Sequence, residues 1–171
     1  DFGDNVFFLR SYFNAEDTAE AVMNTQYVGS NTNTAAGIRA MHYEQFSIEY
    51  GDRTDVPNYA IIVTDGESTV NKEFTIHEAE AARNDSITIF SVGVTDSINV
   101  EELRQMSSPP QQKGVTYWEI EDFTFLGDIV ETLVAVICGS PVSTSSPTTV
   151  QTSDPTPGKV SILYFIFCFF D

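Results

Sequence analysis

Positive charge is scarce in this 171-residue chain: 8 Lys and Arg stand against 25 Asp and Glu, a formal net charge of −17. A phosphate polyanion is repelled by such a surface, so nucleic acid is excluded as a partner. Cysteine is nearly absent too. Cys138 and Cys168 are the only two, with no C-x-x-C and no Cys/His cluster at ligand spacing, so neither a disulfide-stapled scaffold nor a structural zinc site is encoded. His42 and His77 stand alone, with no nucleophile pattern beside either, and read as ordinary helix residues. No Gly-rich phosphate loop with its lysine occurs. The chain opens at Asp1 without Met, charged n-region or apolar h-region, and so reads as a fragment or a processed product.

What the chain does contain is a core. Its hydrophobic fraction is 42%, with 12% aromatic residues, well above what acidic disordered chains carry. The acidity belongs to that folded part: residues 1–141 hold 23 acidic and 7 basic side chains, and residues 142–171 add only Asp154, Asp171 and Lys159. Two readings fit such an excess, a solvated acidic surface or a site that gathers divalent cations, and the second needs named ligands.

Composition divides the chain into a globular part over residues 1–139, a Ser/Thr/Pro-rich linker or stalk over 140–159, and an apolar tail over 160–171. From Ser140 to Pro157, 14 of 18 residues are Ser, Thr or Pro, a composition that buries no core and suits an extended stalk, with or without O-linked sugar. The tail VSILYFIFCFF is eleven residues without a charge, short of the ~20 that cross a bilayer as a helix. Three readings of it stay open: the first half of a truncated span, the apolar tail of a lipid-anchor signal, or a non-native or unstructured end. Membrane attachment is expected only through this tail.

Within the globular part, YAIIVT (Tyr59–Thr64) and SITIFSVGV (Ser86–Val94) are continuous apolar, β-branched runs, as in parallel strands covered on both faces. KEFTIHEAEAARND between them has helical spacing, with Ile76, Ala79 and Arg83 on one stripe. Asn99 with Glu102 reads as a capping box before the stripe Val100, Leu103 and Met106, which Pro109 and Pro110 end. VTYWEIE (Val115–Glu121) predicts a third strand, where Tyr117 and Trp118 read as sheet packing. Asp122 then caps a helix with Leu126, Ile129, Val130, Leu133, Val134 and Ile137 on one face. Upstream, NVFFLR is expected to be a short strand, and AEDTAEAVMNTQ and AAGIRAMHYEQF helices. The class is α/β with a mostly parallel sheet and helices on both faces.

Ligands of open α/β sheets bind beyond the carboxyl ends of the strands. There Asp65 follows YAIIVT directly, with Gly66 behind it, and Thr32 and Thr34 lie in the hydroxyl-rich loop VGSNTNTAAG. The series YVGSNTNTAAGIRAM, VPNYAIIVTDGEST, ITIFSVGV, INVEELRQMSSPP and YWEIEDFTFLGDIVETLV resembles, in order and spacing, the von Willebrand factor type A domain. Within that family it is most similar to the extracellular-matrix branch of collagen VI and the matrilins, over residues 1 to about 139. The resemblance implies a doubly wound, Rossmann-like sheet carrying a metal-ion-dependent adhesion site, at which Mg²⁺, or Ca²⁺ or Mn²⁺, bridges to an acidic group of a partner. By motif the metal residues fall on Thr32 and Asp65. Oxygen donors of this kind suit a hard cation. Thr34, Gly66, Glu67 and Ser68 line the same rim as candidates for partner contact.

The chain departs from the family in one respect. The family's first metal motif, Asp-x-Ser-x-Ser after the first strand, is absent, and FGDNVFFLR looks like the family's third, edge strand. The copy is therefore expected to lack the first two strands and the first helix, to leave strand edges open, to be marginally stable, and to hold metal weakly or not at all. The resemblance also implies that Cys138 pairs with a cysteine ahead of the first strand, a buried free thiol being the alternative. Asn84-Asp85-Ser86 is an N-glycosylation sequon, reachable in a secreted protein. The function implied is a non-enzymatic adhesion or matrix-assembly module, extracellular, with matrix or cell-surface proteins, collagen among them, as partners. The runner-up is an acidic matrix-interaction domain that works without metal or binds Ca²⁺ diffusely. A Mg²⁺-dependent phosphoryl-transfer enzyme would also use a carboxylate at a strand end, but it lacks a phosphate loop here, and only Arg39 and Lys72 are basic near the rim.

Overall fold

Five successive residues of one strand, Ala60 to Thr64, are buried, which requires cover on both faces of the sheet that holds them. The computed structural model describes residues 7–25, 32–138 and 163–168. Strand β1 (Asn58–Thr64) pairs in parallel with β2 (Ile87–Val94), and β2 in parallel with β3 (Tyr117–Ile120). On the other side of β1 lies β4 (Leu163–Cys168), also parallel, giving the order β3-β2-β1-β4.

The alternation of side chains along β1 and β2 divides the core in two. One cluster joins Ala60, Ile62, Ile87 and Ile89 of the sheet to helices α2 (Thr34–Ala40), α3 (Lys72–Asn84) and α4 (Val100–Met106) through Ile38, Ala79, Ala82, Leu103 and Met106. The other joins Ile61, Val63, Phe90, Val92 and Val94 to Ile129 and Leu133 of α5 (Leu126–Cys138). Helices thus cover both faces, as the alternating apolar runs predict. Trp118 packs on the second cluster, 6.1 Å from Phe90 between ring centroids, in keeping with a packing role.

Asparagine side chains cap three of the helices. Asn14 accepts from Asp17 N at the head of α1 (Ala15–Met23), Asn33 from Ala36 N at α2, and Asn99 from Glu102 N at α4. The predicted helix AAGIRAMHYEQF is α2 continued by a π-helical turn, Met41–Gln45. Asp122 caps a 3₁₀ turn, Phe123–Phe125, that leads into α5. Gly93 has no room for a side chain: a Cβ there would lie 2.5 Å from Ile98 Cδ1 and 3.0 Å from Leu103 Cδ2.

Several expectations are corrected. Residues 7–10 of the supposed strand NVFFLR form coil and a turn; the rest of it lies outside the described residues. Side chains, not a ladder, hold this stretch: Gln45 Nε2 donates to the Phe7 carbonyl at 2.9 Å, and Phe8 stacks on Tyr50 at 4.0 Å. Gly51, at φ +108°, lets it approach, since a Cβ there would stand 2.8 Å from Arg10 Cβ. Val130, Val134 and Val100 are 48%, 49% and 40% exposed, so the stripes of α5 and α4 are wider than the surfaces they cover. Strand edges were expected to be open, the outer edge of β1 among them. Instead Leu163–Cys168 is a strand and occupies that edge. An uncharged, β-compatible run satisfies the unpaired backbone groups of a buried strand. No helix among the described residues is long and apolar enough to cross a membrane.

Candidate functional site

β1 delivers Asp65 to the carboxyl end of the sheet. Thr64 Oγ1 donates to the Gly66 carbonyl at 2.8 Å, tightening the turn behind the aspartate. Thr95, just past β2, donates its hydroxyl to the Asp65 carbonyl at 3.1 Å, so two adjacent strand ends are tied together. Asp65 is half-buried, with Oδ1 shielded from solvent.

Thr32 is brought to the same loop by hydrogen bonds to Thr69 and Val70. Its N–H donates to Thr69 Oγ1 at 3.0 Å, and its carbonyl accepts from Thr69 N at 3.0 Å and Val70 N at 2.9 Å. The segment after Asp65 therefore folds back on the residue that leads into α2. Thr32 is only 4% exposed, yet its Oγ1 has no hydrogen-bond partner among the described residues. A buried hydroxyl left this way costs about 1–3 kcal/mol, and it is an oxygen donor with its lone pairs uncommitted.

Thr34 and Ser68 are differently placed from the rim contact expected of them. Both are buried at 2% exposure. Ser68 Oγ lies 2.6 Å from Glu102 Oε1, 2.7 Å from Thr34 Oγ1 and 3.2 Å from Thr75 Oγ1, and Ser68 N donates to the same Glu102 oxygen at 3.1 Å. A hydroxyl has one proton; with Ser68 donating it to the carboxylate, Thr34 and Thr75 donate to Ser68. The network ties α2, α3 and α4 to the β1 loop from inside, and burial removes Thr34 and Ser68 from contact with a partner. Glu102 was read as half of a capping box, but its side chain serves Ser68 while Asn99 alone caps α4. Nothing in the local N-x-x-E pattern distinguishes the two uses.

Gly66 is half-buried and Glu67 exposed at the rim. The Lys72 ammonium, hydrogen-bonded to Glu67 and joined by the Asn99 amide, holds that carboxyl below its ordinary range; Glu67 in turn raises Lys72. The rim carboxylate nearest Asp65 in sequence is thus already neutralised by a cation of the chain itself. Among the described residues no group of three or more His, Cys, Asp or Glu forms a metal cluster. Thr32 and Asp65 fit a hard divalent cation in kind, one hydroxyl and one carboxylate, and such an ion takes further oxygens from water or other groups.

At the opposite end of the strands lies a second pairing that no local pattern marks. His42 is buried, with Nε2 2.7 Å from Asp85 Oδ2 and its ring stacked on Tyr43 at 4.1 Å. It borders a shallow surface groove with Phe46, Asp52, Asn58 and Ile87. Asn84, the last residue of α3, is exposed there, and Cys138 is the last residue of α5.

A parallel sheet covered by helices on both faces, with hydroxyl and carboxylate oxygens gathered at its carboxyl end, defines the class of doubly wound α/β binding domains. The model of the von Willebrand factor type A domain matches residues 4–132, and the chain belongs to that family. It is 33% identical to mouse matrilin-2 over 135 residues, 77% of this chain and 14% of matrilin-2. To the collagen alpha-1(XII) chain of Notophthalmus viridescens it is 27% identical over 159 residues, 91% of this chain and 16% of that one. The chain thus spans about a seventh of the length of these relatives. Among solved structures it is similar to proximal thread matrix protein 1 from the mussel byssus, in the form with zinc occupying its MIDAS motif. The TM-score there is 0.72 at 20% identity, over 79% of this chain and 33% of that one, a likeness of fold. The relatives are proteins of the extracellular matrix, and the chain is an extracellular protein of their branch.

Proposed function

We propose that this domain is a non-enzymatic, extracellular protein-binding module for adhesion or matrix assembly, whose partner is engaged at the rim through a divalent cation held by Thr32 and Asp65. The observation that carries this reading is the buried, uncommitted Thr32 Oγ1 on a loop fastened to the segment that follows Asp65. The ion is Mg²⁺, with Ca²⁺ or Mn²⁺ as substitutes; bound, it would supply a coordination place for an acidic group of the partner. The chain's own residues fix the loop, shield one carboxylate oxygen and leave Gly66 and Glu67 at the rim for contact. Matrix proteins, including collagens, are the partners that relatives of this kind suggest. The organisation into a domain over 1–139, a stalk over 140–159 and a tail beyond goes with this reading, as do Asn84 as a sugar acceptor and Cys138 as a disulfide partner. The test is binding of the full chain to collagen and matrix proteins with and without chelator, and with Asp65→Ala. Binding that chelator abolishes and Asp65→Ala removes is expected; chelator-insensitive binding sinks the mechanism.

A second reading is favoured by the net charge of −17 and by the lack of a metal cluster among the described residues. Here the acidic surface binds matrix without a dedicated ion, or collects Ca²⁺ diffusely. Cation binding that survives Asp65→Ala and falls in proportion as other surface carboxylates are removed would favour it.

A further inference from the structure

We propose that the outer edge of β1 is an acceptor site for one uncharged strand in parallel orientation, and that Leu163–Cys168 is its resident, intramolecular occupant. The site is distinct from the rim and owes nothing to the cation. Six consecutive residues pair in one register, from Tyr59 with Leu163 to Thr64 with Cys168. Like β2, β1 is buried on both faces, with Ala60 and Ile62 in one core cluster and Ile61 and Val63 in the other. Successive residues of a neighbouring strand face opposite sides of the sheet, so an occupant carrying a charge at any central position would place it against one cluster or the other. That requirement is severe in a chain with 25 acidic residues, and LYFIFC meets it: the whole run Val160–Phe170 is uncharged.

The chain can deliver this strand itself. Twenty-four residues, 139–162, separate the end of α5 from β4, a chain length whose root-mean-square span is roughly 25–30 Å. Neighbouring strands are ~4.8 Å apart, so the reach exceeds the whole width of this sheet. A tether of this kind holds its end near the acceptor at an effective concentration on the order of millimolar. Backbone pairing on a buried strand is largely indifferent to which uncharged sequence supplies it, so the acceptor, once vacated, takes a comparable strand from solution. The apolar tail is in this view a structural part of the sheet, and its removal opens a binding edge.

The test uses the full chain with Cys138→Ser, which leaves Cys168 as the only thiol, plus Thr64→Cys, all in chelator so that the cation reading plays no part. Cα atoms of residues paired across adjacent strands lie within the separation a disulfide tolerates. Mild oxidation at low protein concentration is expected to join residues 64 and 168 within one molecule at least tenfold faster than it joins Cys168 to Val94→Cys, a position at the same end of the sheet but on β2. Equal rates, or a disulfide found only between two molecules, would overturn the assignment. In a second arm, a labelled synthetic peptide carrying Leu163–Cys168 between solubilising lysines is titrated into the chain and into its Phe165→Pro/Ile166→Pro double variant, in which one of the two lost N–H groups must be the one that faces β1. Binding at least tenfold tighter to the variant is expected. Equal affinity for both would show that β1 is not an acceptor.

Discussion

Removal of the Glu102 carboxylate isolates the network beneath the rim. In Glu102→Ala the Ser68 N–H, 3.1 Å from the carboxylate, and the Ser68 hydroxyl, at 2.6 Å, both lose their acceptor inside a region where Ser68 is 2% exposed. At roughly 1.5 kcal/mol for each hydrogen bond to a carboxylate, two such losses come to about 3 kcal/mol. For a domain of this size that lowers Tm by roughly 10 °C. Glu102→Gln keeps an acceptor oxygen and is expected to lose about 1 kcal/mol. The assay is denaturant and thermal unfolding followed by circular dichroism, with Ser68→Ala and the double variant completing a cycle. Since the two side chains share their bonds, the double variant is expected to fall short of the sum of the singles by more than ~0.5 kcal/mol. A loss below about 0.5 kcal/mol for Glu102→Ala, or strict additivity, would refute the network as a structural tie.

The remaining predictions address the rim, the core and the surface. Thr32→Val removes an uncommitted buried hydroxyl, so stability is expected to hold or rise by up to about 1 kcal/mol while chelator-sensitive binding is lost; a large loss of stability would show that the hydroxyl is engaged within the fold. Gly93→Val forces two methyls and a Cβ into space already held by Ile98 and Leu103, and unfolding should show a cost of about 1–3 kcal/mol or more. Glu101 is held down to about 2 by the Arg104 guanidinium and the Gln105 amide. Its folded pKa is depressed, so its small, solvent-screened contribution is present above the ordinary carboxylate value and fades as pH falls toward 2. An NMR titration should find Glu101 titrating near 2 and returning toward 4.5 in Arg104→Ala; an unmoved midpoint would count against the pair.

The lengths and types of most elements were legible in periodicity. β1, β2 and α3 appear where the uninterrupted apolar runs and the helical stripe put them, because burial on two faces or one leaves its period in the residues themselves. The motif order TNT then TDG also located the loops that meet at the rim. Less was legible of each side chain's task. Thr34 and Ser68 carry hydroxyls just as Thr32 does, and only packing shows that Ser68 is bonded to Glu102, Thr34 to Ser68, and Thr32 Oγ1 to neither.

What the sequence determined by itself was the α/β class, the two-faced core and the strand-end position of Asp65, since each follows from local spacing along the chain; the series of motifs carried the resemblance to the family. Only the tertiary structure decided which distant segments meet: the Thr69–Val70 backbone on Thr32, Glu102 on Ser68 across 34 residues, and Leu163–Cys168 along β1. Such pairings are chosen by the backbone and polar groups a fold leaves unsatisfied. An uncharged run records that it is fit to fill a buried edge, but not which edge will be there to receive it.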